Sequence, residues 1–267
     1  MNYKLLLPTY RNRYVFVKNT LEELAQKHRF KQGLSLGTGE GDYDRMLAQY
    51  CDQLTACDIN EADVAFAKKL NSDVANIEYR VENALELSFA DDSFDLLISV
   101  EVIEHVGQPA RMMEEIGRVL KPGGVAIITF PSVDFPFTYD PINRILAGVN
   151  GKKISQGAYA FGHEYLIDQR EFRKWVRKEA LVALKDRNLS GYLVGLVEMY
   201  WTGMIQSLLK ANSDNLPGQE EKKISLRPTT KEPILASVTD ALLWLDQSLF
   251  GKASHSVGKG FLLQKEA

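Results

Sequence analysis

The chain has 267 residues, of which 45% are hydrophobic and 25% are charged, and its formal net charge is −3. This composition is typical of a globular protein with one large domain or a domain with a sizeable insertion. It does not favour bulk electrostatic binding to nucleic acid. The two cysteines lack a redox or metal-ligand spacing, and we expect both to be small buried residues. The N-terminal apolar run is too short for a signal peptide, so we expect a cytoplasmic location.

The first half of the chain alternates helix-like and strand-like segments. Helical spacing over Tyr14–His28 precedes an apolar strand at Gly33–Leu36, and a further helix is predicted over 42–50. Later strands are predicted at Leu54–Asp58, Ile77–Val81, Phe94–Val100 and Val125–Phe130, with helices from Asn60 to Leu70 and over Pro109–Leu120. This rhythm predicts an α/β fold with a doubly wound, parallel sheet and a cofactor-binding core over residues 30–131.

Beyond Pro131 the rhythm breaks. Residues 132–165 are rich in aromatic residues, Pro and Gly, and they predict a loop on the substrate side of the sheet. Asp168 is predicted to cap a helix through Lys178, and a sixth strand is predicted at Leu181–Lys185. We expect one domain over residues 1–267, with a mostly parallel seven-stranded sheet.

Two amphipathic segments form a predicted helical insertion over residues 190–253. They are Gly191–Leu209 and Pro233–Phe250. The first nearly has the length of a membrane span, but the carboxylate of Glu198 argues for a buried or interfacial helix. Gly258–Gln264 is then predicted to be the last strand, antiparallel and at the edge of the sheet.

Three glycines at alternate positions, Gly37, Gly39 and Gly41, follow the first strand. Glycine accepts positive φ and lets a ligand approach the backbone. The spacing is neither the dinucleotide fingerprint nor a phosphate-binding P-loop. Asp58 ends the second strand, where a carboxylate can bind a ribose diol or cap the next helix. Taken alone, the glycine turn and Asp58 are also compatible with a dehydrogenase.

Further motifs follow in order. They are Glu82–Phe89, Phe94–Ser99, the E-x-x-E-H group of Glu101, Glu104 and His105, and the turn Lys121-Pro122-Gly123-Gly124. With the glycine turn and Asp58, they resemble the class I S-adenosylmethionine-dependent methyltransferases, and within them the branch of the ubiquinone and menaquinone biosynthesis methyltransferases. The resemblance covers residues 34–130 strongly and 162–175 moderately. It implies a Rossmann-like methyltransferase fold.

The resemblance also implies which residues bind S-adenosylmethionine. They are Gly37, Thr38, Gly39, Gly41, Asp58, Ile59, Asn83, Ala84, Ser99 and Glu101. In this scheme Asp58 binds the ribose hydroxyls and Ile59 packs on the adenine. Two positions depart from the family pattern, since Ser35 stands where an acid is usual and Asn83 stands where Asp is frequent.

Some relatives bind a divalent cation through an E-x-x-E-H group and a later histidine. Here Glu101, Glu104, His105 and His163 would be the ligands, and such a set can hold Mg²⁺, Mn²⁺ or Zn²⁺. If the acceptor is a hydroxyl group, His105 or His163, or a metal that they hold, would assist its deprotonation. The alternative is that Glu104 and His105 cap a helix and support the cofactor loop.

We therefore expect a methyltransferase for a small, apolar acceptor that is quinone-, lipid- or phenol-like and is methylated at oxygen or carbon. Methylation of an RNA 3′ end is an alternative that the net charge disfavours. A non-catalytic, cofactor-binding regulator is another, motivated by Ser35 and Asn83. The two extra helices suggest a lid, a lipid-facing surface or a homodimer contact.

Overall fold

A computed structural model describes residues 2–26, 29–133, 145–146, 148–149, 166–197 and 229–266. In these residues seven strands form one sheet in the order β3-β2-β1-β4-β5-β7-β6. The strands are β1 (Phe30–Leu36), β2 (Cys51–Asp58), β3 (Ile77–Val81), β4 (Phe94–Val100), β5 (Leu120–Pro131), β6 (Leu181–Asn188) and β7 (Gly258–Lys265). Strands β1 to β5 pair in parallel, and β7 is antiparallel to both β5 and β6. The predicted α/β fold with a mostly parallel sheet is confirmed.

Helices cover both faces of this sheet. They are a 3-10 helix (Tyr3–Leu6), α1 (Pro8–Ala25), α2 (Asp44–Leu47), α3 (Glu61–Leu70), α4 (Pro109–Val119), α5 (Gln169–Lys178), α6 (Tyr192–Val197) and α7 (Ala236–Phe250). Residues of α1 and α2 pack in one apolar cluster, and those of α4 and α5 in another. Leu97 of β4 belongs to the second cluster and its neighbours Leu96 and Ile98 to the first, because successive strand residues point to opposite faces.

Two predicted helices have different bounds in the structure. Helix α1 begins at Pro8, six residues before the predicted start, since proline suits the first turn of a helix. The helix predicted over 42–50 has four residues, because β2 begins already at Cys51 and the preceding residues turn into it. A ligand at the predicted glycine turn would therefore depend on the turn and its side chains more than on a helix N-terminus.

The prediction that the last strand lies at the sheet edge is wrong. Strand β7 lies between β5 and β6, so β6 is the edge strand. The burial patterns give the physical reason. Lys259–Leu263 are buried in succession, as in a strand covered on both faces, whereas exposed residues such as Val182 and Leu184 recur along β6.

The predicted helical insertion is seen in part. Helix α6 accounts for the start of Gly191–Leu209, and residues 198–228 lie outside the described part of the chain. Helix α7 confirms the second segment from Ala236 onward. In the described ranges no helix is long and apolar enough to cross a membrane.

A buried carboxylate joins the two helices of this insertion. The Oδ2 atom of Asp246 in α7 accepts from the backbone N–H of Gly191 at 2.6 Å. Its Oδ1 accepts from the backbone N–H groups of Leu193 and Val194 at 3.0 and 3.2 Å. Asp246 thus satisfies donors that the first turn of α6 would otherwise leave unpaired.

Replacing this carboxylate tests its contribution to stability. Asp246→Ala should lower the free energy of unfolding by about 2–3 kcal/mol, because buried donors lose charge-assisted hydrogen bonds. Asp186→Ala is the control, since that exposed carboxylate pairs with Arg173 at the surface and should contribute under about 1 kcal/mol. Urea denaturation followed by circular dichroism measures both. Equal effects would contradict the capping role.

Candidate active site

The strand order places a crevice at the carboxyl ends of β1 and β4. The chain runs from β1 outward to β2 and β3, and then returns to the other side of β1 as β4. Loops leaving β1 and β4 therefore diverge, and ligands of open α/β sheets bind at such a switch point. The glycine turn leaves β1 here, and Glu101–His105 leave β4.

The three glycines of the turn have different reasons to be glycine. All have positive φ, at 77° for Gly37, 52° for Gly39 and 79° for Gly41. A Cβ at Gly37 would lie 2.3 Å from a methyl carbon of Val102, and one at Gly41 would lie 2.7 Å from the Cβ of Ala67. A Cβ at Gly39 would meet nothing within 4 Å. Gly39 therefore borders open space, as a cradle for a ligand requires.

Asp58 closes the turn from the neighbouring strand. Its Oδ2 accepts from the backbone N–H of Gly39 at 2.8 Å, and its Oδ1 accepts from that of Asn60 at 3.0 Å. Each carboxylate oxygen keeps a further lone pair for a hydroxyl group. Asp58 therefore holds the turn and can still accept from a diol.

A second carboxylate, Asp44, lies beneath the turn and is fully buried. Its carboxylate accepts hydrogen bonds from three hydroxyl groups on different parts of the chain. The donors are Ser35 Oγ at 3.1 Å, Thr38 Oγ1 at 2.7 Å and Tyr79 OH at 2.9 Å. Burial raises its pKa to about 6, although these hydroxyl groups act in the opposite direction. Asp44 thus places a carboxylate beside Ser35, where the family pattern would have an acid.

Thr38, predicted to bind the cofactor, has its hydroxyl directed at Asp44, so the structure gives that side chain a supporting role. Asn83 uses its side-chain oxygen to accept from the backbone N–H of Leu85 at 3.0 Å. Ala84 packs partly buried against the apolar core. Direct contacts of these three residues with a cofactor stay predictions.

Two side chains near the turn, Ile59 and Ser99, are available to contact a ligand. The side chain of Ile59, next to Asp58, is 70% exposed, which leaves an apolar surface for a flat ring. At the end of β4 the hydroxyl of Ser99 is buried, and it has no hydrogen-bond partner among the residues that the structure describes. A diol acceptor, an apolar face and a free hydroxyl fit a nucleoside with a polar tail.

Glu101 is held in a strained conformation at the opposite wall of the crevice. Its φ is 55°, which is costly for a residue with a Cβ and is frequent at functional sites. Its carboxylate accepts from Arg13 Nη1 and from Thr129 Oγ1, each at 2.9 Å. Arg13 belongs to α1, so the N-terminal helix reaches the same crevice.

The N-terminal 3-10 helix covers the outer side of the glycine turn. Lys4 Nζ lies 2.8 Å from Glu40 Oε2 and 2.5 Å from Asp42 Oδ2. Burial alone would lower the pKa of Lys4, but the two carboxylates reverse this effect and raise it. The ring of Tyr14 in α1 packs on that of Tyr43, with centroids 5.5 Å apart.

Glu104 and His105 follow on the loop after β4. Glu104 is buried, and neither of its carboxyl oxygens has a hydrogen-bond partner within the described residues. Burial first, and then the charge of Glu101, raise its pKa well above the usual range, which favours the neutral acid. His105 Nε2 lies 3.8 Å from Glu104 Oε1, too far for a hydrogen bond.

The described residues do not form the predicted metal site. His163 lies outside the described residues. Among the described residues, Glu101, Glu104 and His105 included, no group of three or more His, Cys, Asp or Glu side chains is placed to hold a metal ion. The carboxylate of Glu101 is engaged by Arg13, and metal binding stays a prediction.

Sequence reasoning missed Asp44, Lys4 and Arg13. The acid at position 44 in place of one at position 35 could have been suspected, because three carboxylates, Glu40, Asp42 and Asp44, follow the turn closely. Arg13 and Glu101 are 88 residues apart. No local pattern indicates such a pair.

Comparison with known proteins agrees with this geometry. A family model described as a methyltransferase domain matches residues 34–128. The demethylmenaquinone methyltransferase of Clavibacter sepedonicus is 29% identical over 174 residues, which cover 61% of this chain and 70% of that protein. The ubiquinone/menaquinone biosynthesis C-methyltransferase UbiE of Rickettsia felis is 30% identical over 185 residues, covering 62% of this chain and 75% of the relative.

Solved structures share the fold at lower identity. The N-methyltransferase NodS from Bradyrhizobium japonicum, in complex with S-adenosyl-L-homocysteine, superposes with a TM-score of 0.52 at 19% identity. The match covers 71% of this chain and 83% of NodS.

The fold and the crevice at its switch point define a methyltransferase. The chain belongs to the class I S-adenosylmethionine-dependent methyltransferases, and S-adenosylmethionine is its cofactor. When bound, that cofactor supplies an electrophilic methyl group on a sulfonium sulfur. This cofactor needs a hydrogen-bond acceptor for its ribose hydroxyls and open space beside the backbone. The Asp58 carboxylate and Gly39 fit these two requirements.

Removing the Asp58 carboxylate should weaken S-adenosylmethionine binding by about 1.5–3 kcal/mol, or roughly 10- to 100-fold, through loss of charge-assisted hydrogen bonds. Isothermal titration calorimetry on Asp58→Ala measures this. Asp52→Ala is a matched control, because that residue is on the same strand but pairs with Arg29 at the surface. Unchanged affinity in a folded Asp58→Ala variant would refute the ribose assignment.

A pair of glycine substitutions separates strain from obstruction. Gly39 and Gly123 both have positive φ and open space at the Cβ position, but Gly123 lies near the start of β5, between the paired residues Leu120 and Val125. Valine at either position should lower stability by about 1–3 kcal/mol. Only Gly39→Val should abolish cofactor binding, as titration of both variants would reveal. Normal binding by Gly39→Val would show that the cradle is misplaced.

Proposed function

We propose that this enzyme methylates a small, apolar acceptor of the hydroquinone type at a ring carbon. The observation that carries the proposal is the similarity to two relatives named as quinone-biosynthesis methyltransferases, across 70% and 75% of their lengths. One of them is named a C-methyltransferase. The charge and burial of the residues around the crevice support the same acceptor class.

The crevice has a charge pattern that suits the cofactor's two ends. Asp58 and the exposed Ile59 suit a ribose and an adenine at one end. At the other end Arg13 and Glu101 place a positive and a negative group 2.9 Å apart. These charges are complementary to the carboxylate and ammonium groups of a methionine moiety, and Ser99 adds a buried hydroxyl.

The loop after β4 suits an uncharged acceptor. Val102 contacts the glycine turn, Ile103 is buried in the core, and Glu104 favours its neutral form. His105 is on the same loop, with a side chain that is 44% exposed. This exposure supports contact between His105 and an acceptor bound next to the crevice.

His105 would act as the general base for such an acceptor. Its imidazole takes the phenolic O–H proton, and the resulting electron density makes the adjacent ring carbon nucleophilic. The methyl group that the bound cofactor supplies would bond to that carbon as its bond to sulfur breaks. The ring carbon would then lose its proton to water, and the imidazolium of His105 would return its proton to the phenolate oxygen. The surrounding residues align the reactants and exclude water, which is the main requirement of an in-line displacement.

A methyl-transfer assay with a short-chain, water-soluble hydroquinone tests this chemistry. The enzyme should methylate the reduced acceptor at carbon and leave the oxidised quinone unchanged, because the quinone has no phenolic proton to give. His105→Ala and His105→Gln should each lower kcat by about 10²- to 10⁴-fold while sparing cofactor affinity.

The product is identified by mass spectrometry and the cofactor affinity by calorimetry. Transfer to an RNA 3′ end with no transfer to hydroquinones would overturn the proposed acceptor. Undiminished kcat in both His105 variants would assign the base to another residue.

A further inference from the structure

Helix α7 buries polar residues on the face that packs on the protein and exposes large aliphatic residues on another face. The stripe that faces the protein contains Ala236, Thr239, Leu243 and Asp246, all buried. The opposite stripe is aliphatic and exposed. Its members are Val238, Leu245 and Leu249 at helical spacing, and the exposed Ile234 lies two residues before the helix begins.

The polar groups of α7 are engaged by the protein and do not reach the outward stripe. Thr239 Oγ1 donates to the carbonyl of Leu6 at 3.1 Å. The carboxylate of Asp240 accepts from Nε and Nη2 of Arg11 at 2.8 and 2.9 Å, and Asp246 caps α6. The two acids of this helix are thus both bound to neighbouring elements.

An outward stripe of this kind is unusual for a helix in water. Val238 and Leu249 are 66% and 62% exposed, and Ile234 before the helix is 97% exposed. From Val238 to Leu249 the stripe extends for about 16 Å at 1.5 Å per residue. A contiguous apolar surface of this length marks an interaction with another protein or with a membrane.

The groups around the stripe favour a membrane. Exposed lysines, Lys231 and Lys252, lie at its two ends, where they would meet the phosphates of anionic lipids. Trp244 of the same helix is largely exposed, and tryptophan is enriched at membrane interfaces. Because the other face of α7 is packed on the protein, the helix would lie along the membrane surface.

We propose that the outward stripe of α7 binds the surface of a bilayer that contains anionic phospholipids. The inference rests on the proposed function, because a hydroquinone with an apolar tail would be dissolved in that bilayer. The surface is connected to the cofactor site. The backbone N–H of Asn2 donates to the carbonyl of Lys231 at 2.7 Å, and the 3-10 helix that follows contacts the glycine turn through Lys4.

Sedimentation with vesicles tests this surface on the full chain. Vesicles of phosphatidylcholine with phosphatidylglycerol are compared with vesicles of phosphatidylcholine alone. The wild-type protein should sediment with the anionic vesicles, and Leu245→Glu should weaken binding at least about tenfold by removing apolar area and adding a repelled charge. Val182→Glu is the matched control, because Val182 has nearly the same exposure as Leu245, at 42% against 43%, but lies on edge strand β6.

Two measurements keep the test independent of folding. Thermal unfolding should be the same for Leu245→Glu and Val182→Glu. Anionic vesicles should shift the tryptophan emission of the wild-type protein to shorter wavelength, and Trp244→Phe should remove that shift. A wild-type protein that does not bind vesicles, or a Val182→Glu variant that is weakened as much as Leu245→Glu, would overturn the proposal.

Light scattering separates a second copy of the chain from the membrane. A dimer that Leu245→Glu dissociates, without vesicle binding, would assign the stripe to a homodimer contact and overturn the proposal. Turnover of a water-soluble hydroquinone without vesicle binding would refute the membrane surface and leave the acceptor assignment intact. Vesicle binding without turnover of any hydroquinone would do the reverse.

Discussion

The candidate cofactor site depends on how two carboxylates hold one glycine-rich turn. A chain that reverses direction in a tight turn exposes backbone N–H groups that need partners. Asp58, on the adjacent strand, accepts from one of these N–H groups. Asp44 accepts hydrogen bonds from the hydroxyl groups of Ser35 in the strand and Thr38 in the turn. The turn is therefore fixed before a ligand arrives, and Gly39 keeps its outer face open. Pre-organisation of this kind reduces the cost of binding.

Ion pairs extend this arrangement to the N-terminal segment and the last helix. Lys4 binds the turn, Arg13 binds Glu101, and Arg11 binds Asp240 of α7. Because Arg11 and Arg13 are both on α1, the cofactor crevice and α7 are connected through one rigid element. If α7 binds a bilayer as proposed, this element would join the bilayer surface to the crevice.

Local sequence patterns predict the strands well, because each is an apolar run between turn residues. The start of α3 also lies where the sequence predicts it, at Asn60, whose side chain accepts from the backbone N–H groups of Ala62 and Asp63. Strand order is set by long-range pairing, and the interior position of β7 was predicted wrongly for that reason. The pair of Arg13 and Glu101 was not predicted either, because its members meet only in the folded chain.

A crystal structure of the enzyme with S-adenosyl-L-homocysteine tests the account most directly. The account predicts that both ribose hydroxyls lie within hydrogen-bond distance of the Asp58 carboxylate, at about 2.5–3.0 Å. It also predicts that the cofactor passes over Gly39 and covers Ile59. A cofactor bound elsewhere, or ribose hydroxyls directed away from Asp58, would contradict it.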